Sequence, residues 1–293
     1  MTTSMILPQV VNGICWGMIL GLIALGLNII FGMLNVINFA HGAFYALSAY
    51  LAFSLVNYLH IPGVSTFWGS LIIVPIIIGV FGIFIEKVLV RPLLSEKHEY
   101  QLLLTFAVLL ILQEGIAIVW GTVARPFNCP ISLIGIVDLK FMVYPIYRLF
   151  VLALTGIIFA ALWYFLNKTN FGSILRGGIE DGDMMRCLGI NITLVRNLTF
   201  GLGIALVGVG AVLSAPITGS LNPQMGMTYL ITCFVIISLG GLGSFKGAII
   251  GGILIGVLKS VMIFIEPKAS ELSMFILMAC VLTLRPRGLF GKR

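Results

Sequence analysis

Two carboxamides and an imidazole, Asn35, Asn38 and His41, fall within the run Phe31-Gly32-Met33-Leu34-Asn35-Val36-Ile37-Asn38-Phe39-Ala40-His41-Gly42, whose other residues are apolar or glycine. Such groups hydrogen-bond without carrying a fixed charge, so they suit the lining of a path for a small zwitterion. They suit hydrogen bonding between packed helices equally well, and the residues alone leave both readings open. Glu114, beside Gln113, is the acid placed well inside an apolar stretch. An ionisable group there is a functional candidate, and a hydrogen-bonded or protonated carboxyl near an outer surface is the alternative. Asn222 and Gln224 flank Pro223 and precede the glycine-rich residues 238–248. A glycine-rich break beside such a segment can line a path, although small residues also let helices approach closely.

Other chemistries find little support. His41, His60 and His98 are too dispersed to suggest converging ligands or bases. Cys15, Cys129, Cys187, Cys233 and Cys280 are odd in number and show no CxxC spacing, so neither a metal site nor a disulfide framework follows. The nearest phosphate-loop look-alike, Gly240-Gly241-Leu242-Gly243-Ser244-Phe245-Lys246-Gly247, lacks the Gly-Lys-Ser/Thr ending that cradles phosphates. The chain is not expected to bind ATP by that route, and no metal or catalytic residue is assigned.

The elements that carry these residues must be membrane helices. Hydrophobic residues make up 60% of the chain and charged ones 9%, against about 25% charged in a soluble domain. No Asp, Glu, Lys or Arg precedes Glu86, and residues 197–245 are again free of charge. A charge at mid-bilayer costs about 2.5–3.5 kcal/mol, so these gaps point to membrane burial. With about 20 apolar residues per crossing, spans are expected near 8–31, 36–58, 67–90, 101–120, 147–166, 197–215, 228–243, 247–265 and 270–284. The fold class is therefore all-α and polytopic with eight to nine crossings. The first two spans are hard to separate, and one of them, or the short 228–243 stretch, is expected to be broken or re-entrant. The first apolar run has neither a basic flank nor a cleavage site and reads as a retained span. The chain reads as one membrane domain, residues 1–293, without a soluble domain.

The net charge of +7 follows from the loops and not from nucleic-acid binding. Lys87, Arg91 and Lys97 share one loop, Lys168, Arg176, Arg186 and Arg196 another, and Arg285, Arg287, Lys292 and Arg293 end the chain. All three clusters fall on one side, expected to be cytoplasmic together with the C-terminus. The opposite side has no Lys or Arg in residues 59–66 and only Arg125 and Lys140 in residues 121–145.

Residues 171–190 mix charged and apolar side chains, with Met184 and Met185 at four- and three-residue spacing from Leu188. The composition fits a solvated loop or an amphipathic helix that meets a partner. Four segments in order carry a resemblance: Asn35-Val36-Ile37-Asn38-Phe39-Ala40-His41-Gly42, Leu188-Gly189-Ile190-Asn191, Leu239-Gly240-Gly241-Leu242-Gly243-Ser244, and Leu284-Arg285-Pro286-Arg287-Gly288-Leu289-Phe290-Gly291. Together they resemble the first permease type of the branched-chain amino acid ABC importers, over nearly the whole chain.

The resemblance implies a bacterial inner-membrane permease that translocates branched-chain or hydrophobic amino acids; urea, amides and aromatic acids are the alternative solutes. It implies a second related permease, two ATPase subunits that bind ATP and Mg, and an extracytoplasmic solute-binding protein. Residues 167–196 become a coupling loop that docks on an ATPase subunit, with Arg176, Glu180, Asp181, Met184, Met185, Leu188 and Gly189 at the interface. Asn35, Asn38, His41, Glu114, Asn222 and Gln224 become pathway residues. One departure stands out: Gly177, Gly178 and Gly182 occupy positions where the family favours helix formers. A loop that is less helical when free and orders on docking is the expectation, at about 1 kcal/mol per Gly relative to Ala. An ion-coupled transporter would need Glu114 as its ion site. A membrane-bound enzyme or a self-contained channel would leave the loop less well explained.

Overall fold

An apolar helix with no charged side chain must be enclosed by other helices or by lipid, and the longest such stretch forms the centre of the protein. In the computed structural model, which describes residues 3–58, 66–94, 96–138 and 143–291, Thr3–Leu34 is one helix, α1. The expectations for His60, Lys140, Lys292, Arg293 and most of residues 59–66 lie outside the described residues.

The helices that follow are α2 (Ala40–Tyr58), α3 (Thr66–Ile85), α4 (His98–Trp120), α5 (Ile146–Lys168), α6 (Asn170–Glu180), α7 (Gly182–Cys187), α8 (Ile192–Thr218), α9 (Met225–Gly240), α10 (Phe245–Ile265) and α11 (Ser270–Leu284). Among the described residues, seven helical segments are long and apolar enough to cross a membrane: Ile6–Leu34, Thr66–Leu93, His98–Trp120, Ile146–Lys168, Ile192–Thr218, Phe245–Ile265 and Pro267–Leu284. The remaining two expected spans are α2 and α9, the pair of regions where the pattern was least regular. Two short antiparallel ribbons cap the end away from the basic loops. In one, β1 (Arg125–Pro126) pairs with β4 (Ser220–Leu221); in the other, β2 (Ile136–Asp138) pairs with β3 (Val143–Pro145).

Packing follows a repeated plan. α1 lies against α10, and α8 lies against α3; α2 touches α8, and α9 touches α1. α1–α4 and α8–α11 thus follow the same order of long helix, short helix, helix, helix. They run in opposite directions, because α1 ends at the basic loops where α8 begins. Such inverted halves are a common way to build a transport path. The two central helices are the most enclosed, with 78% of the apolar window buried in each of α1 and α8 against 22% in α4 and 11% in the last span. Close approach of α1 and α10 requires glycine: a Cβ on Gly256 would stand 2.3 Å from the Gly17 Cα.

Candidate functional site

α2 and α9 both begin deep inside the helical body, and their first turns meet. His41 Nε2 donates to the Ile23 carbonyl at 2.9 Å. Ile23 lies eleven residues, about 16 Å, before the end of α1. Residues 35–39 therefore climb back along α1 as irregular chain before α2 starts. From the other end, Tyr50 Oη donates to the Leu221 carbonyl at 3.2 Å, while Gly226 packs on Gly42, eight residues earlier in α2. A Cβ on Gly42 would stand 2.2 Å from the Gly226 oxygen. The chain thus descends about 12 Å from Leu221 before α9 starts.

Exposed backbone at this depth has to find partners, and polar side chains supply several. Asn35 takes a left-handed conformation, φ 53°, and its N–H closes α1 on the Phe31 carbonyl at 2.7 Å. Thr105 Oγ1 of α4 donates to the Ile37 carbonyl at 3.3 Å. Asn38 Oδ1 accepts from Ala40 N–H at 3.1 Å and so caps α2. Asn222 Oδ1 accepts from Gln224 N–H at 2.8 Å in the turn that opens α9. Asn38 and His41 are buried and keep one unpartnered atom each, Asn38 Nδ2 and His41 Nδ1; Asn35, Asn222 and Gln224 are exposed. Beside this meeting point, Phe39, Met227, Ile231, Phe234, Phe275 and Met278 line an apolar groove of about 270 Å³.

Glu114 is not gathered into that centre. It is exposed on α4 between Ile111 and Ile118, which are 70% and 83% exposed, so it faces away from the chain's own core. The acid that the fold buries is Glu86, which sequence reasoning passed over. A π-turn over Glu86–Val90 carries Arg91 beneath it. Arg91 Nη2 donates to Glu86 Oε2 at 3.0 Å and also to Asn197 Oδ1 of α8. The five-residue spacing of an acid and a base was the available signal. Asn28 was missed as well. Its side chain donates to the Ser244 carbonyl at 2.8 Å and accepts from Gly243 N–H at 2.7 Å, clamping α1 to the glycine-rich turn between α9 and α10. A single Asn in an apolar helix carried no sign of its distant partner.

At the basic end, residues 170–187 are helical, contrary to the expectation from their glycines. Gly177 and Gly178 have packing reasons, since a Cβ would meet Met185 Sδ at 2.8 Å and Met33 Cε at 3.0 Å. Thr169 caps α6 and Asp181 caps α7, the latter accepting from Asp183 and Met184 N–H. Gly189, φ 79°, ends α7 with the paired bonds Gly189 N–H to Arg186 O and Ile190 N–H to Met185 O. Asp181 and Gly189 thus shape the backbone. Met185 packs inward on Gly177, so the apolar face splits. Met184 and Leu188 remain 59% and 68% exposed, with Arg176 and Glu180 also on the surface.

Residues 9–284 match the family model of the branched-chain amino acid transport system, permease component. The chain belongs to this family. As a permease component, it forms part of a membrane path. It is 30% identical to the high-affinity branched-chain amino acid transport system permease protein LivH of Salmonella typhimurium, over 98% of this chain and 96% of that one. It is 30% identical to BraD of Pseudomonas aeruginosa, with the same coverage. LivM of Salmonella typhimurium, a second permease protein, is 26% identical over 93% of this chain and 68% of its own length. For a permease, two short helices whose first turns meet deep in the body, with the Asn38 amide and the His41 imidazole at the start of one of them, form the natural candidate for the path.

Proposed function

We propose that this chain is one of two related permease subunits in an ATP-driven importer of branched-chain or other hydrophobic amino acids. The observation that carries the reading is the meeting of α2 and α9 at mid-depth, with the buried Asn38 amide nitrogen unpartnered and the next residue, Phe39, lining an apolar groove. Helix N-termini and an amide favour a carboxylate, and the groove suits an aliphatic side chain. Urea and amides would gain less from the groove.

The basic end is cytoplasmic in this reading. There α6 and α7 dock on an ATPase subunit through Arg176, Glu180, Met184 and Leu188, with Asp181 and Gly189 holding the docking shape. ATP and Mg belong to that subunit, and an extracytoplasmic binding protein delivers solute at the opposite end. Asn35, Asn222, Gln224 and Glu114 line the approaches or face the second permease. ATP drives transport only by stabilising one access state over the other.

Reconstitution of the chain with its second permease, ATPase subunits and binding protein in proteoliposomes tests the assignment. Leucine uptake should require ATP, and Leu188→Asp with Met184→Asp should release the ATPase subunits. Uptake that persists without ATP and collapses with the proton gradient would overturn the reading.

A further inference from the structure

Lys259 and Arg148 are two cations at the end of the molecule opposite the basic loops, where the chain otherwise carries few. Arg148 lies in the first turn of α5. Lys259 lies six residues before the end of α10, about 9 Å below it. Both open into one cavity of about 380 Å³ between α1, α5, α8 and α10, with Gln9, Asn12, Trp16 and Ser260 also on its walls.

The hydrogen bonds around the cavity consume its acceptors and leave its donors. Arg148 Nη1 donates to Asn12 Oδ1, leaving the Asn12 amide N–H groups. Ser260 Oγ donates to the Gln9 carbonyl at 2.7 Å and lies 3.2 Å from Gln9 Oε1. An ammonium and a guanidinium can only donate. No acid lies within ion-pair distance of either cation among the described residues; Glu271 on α11 acts on Lys259 from further away. Tyr144 Oη stands buried beside Cys15 and Arg148. Burial, then Cys15, pushes this phenol up to about 12, with Arg148 opposing, so it stays a donor at neutral pH. A half-buried cation among apolar helices is costly unless an anion compensates it.

We infer that this cavity is a binding site for a small oxyanion group attached to an apolar body, held by Lys259, Arg148 and the Asn12 amide. Two sources share that chemistry. One is the phosphate of an anionic phospholipid from the adjoining leaflet. The other is the carboxylate of a free amino acid waiting outside the path.

The test uses the full chain with its partner subunits in detergent, as wild type, as Lys259→Gln with Arg148→Gln, and as Lys259→Arg with Arg148→Lys. One arm counts retained phosphatidylglycerol by native mass spectrometry after exchange against phosphatidylcholine. The other measures thermal shifts with leucine and with leucinol, which lacks the carboxylate. Retention of phosphatidylglycerol, or a shift with leucine but not leucinol, reduced about tenfold in apparent affinity by the glutamine pair and restored by the cation-preserving pair, supports the site and names its source. Equal lipid retention and equal shifts in all three proteins would overturn it. Unchanged circular dichroism separates lost binding from lost folding.

Discussion

Single polar side chains carry much of the tertiary specificity of this apolar protein, because each has few alternatives in a medium without water. Asn28 satisfies one donor and one acceptor of the turn between α9 and α10. Asn28→Leu leaves the Gly243 N–H unpaired, at about 1–3 kcal/mol, while the Ser244 carbonyl keeps its bond from the Ala248 N–H; the expected result is a lower melting temperature in detergent, with α1 still helical. Glu86 and Arg91 make a different case. Glu86 is almost fully buried and Arg91 keeps 30% of its side chain exposed. Arg91→Met strands the carboxylate and should cost toward the low end of about 3–5 kcal/mol. Glu86→Gln combined with Arg91→Met should recover most of that loss in the same melting experiment. Neither role was legible from residue type, because the partners, Ser244 for Asn28 and Asn197 for Arg91, are distant in sequence.

At the scale of elements, the short helices are the informative ones. The sequence marked residues 31–42 and 228–243 as irregular, and they are where α2 and α9 start part-way through the body. Period and composition could not show that their N-termini meet, since Gly42 and Gly226 are far apart in the chain. Gly42→Val would drive its side chain into the Gly226 carbonyl. The expected outcome is loss of folded protein or a destabilisation above the about 1–3 kcal/mol usual for overpacking, read as aggregation on size-exclusion chromatography. Residues 170–187 teach the converse. Their glycines argued against helix, but two of them make room for Met185 and Met33. Gly182 has nothing within reach of a Cβ, so Gly182→Ala should stabilise α7 by about 0.4–1 kcal/mol. Slower hydrogen exchange across residues 182–187 would register it.

Across the whole molecule, two inverted halves enclose α1 and α8 and turn the apolar faces of the outer helices outward. Most of that surface is lipid-facing by composition, but Glu114 on α4 is an ionisable group on an otherwise apolar face. Facing lipid, it would cost about 2.5–3.5 kcal/mol, whereas a second permease or a wet path accommodates it. Glu114→Leu is therefore expected to leave the isolated chain at least as stable while reducing both co-purification of the second permease and leucine uptake. Unchanged uptake and assembly would place Glu114 outside the interface.

Membrane residence, the approximate positions of the apolar segments and the gathering of the basic residues into loops between them were legible in the sequence alone, because charge is excluded from hydrocarbon whatever the fold. The four ordered motifs also sufficed for the family. Tertiary structure alone decided that α2 and α9 stop short and meet, that Glu86 is buried while Glu114 is not, and that Met185 turns inward while Met184 stays out. These depend on which helices become neighbours. Pairing is selected by glycine-sized gaps and single hydrogen bonds between distant residues, and hydropathy along one chain does not record them.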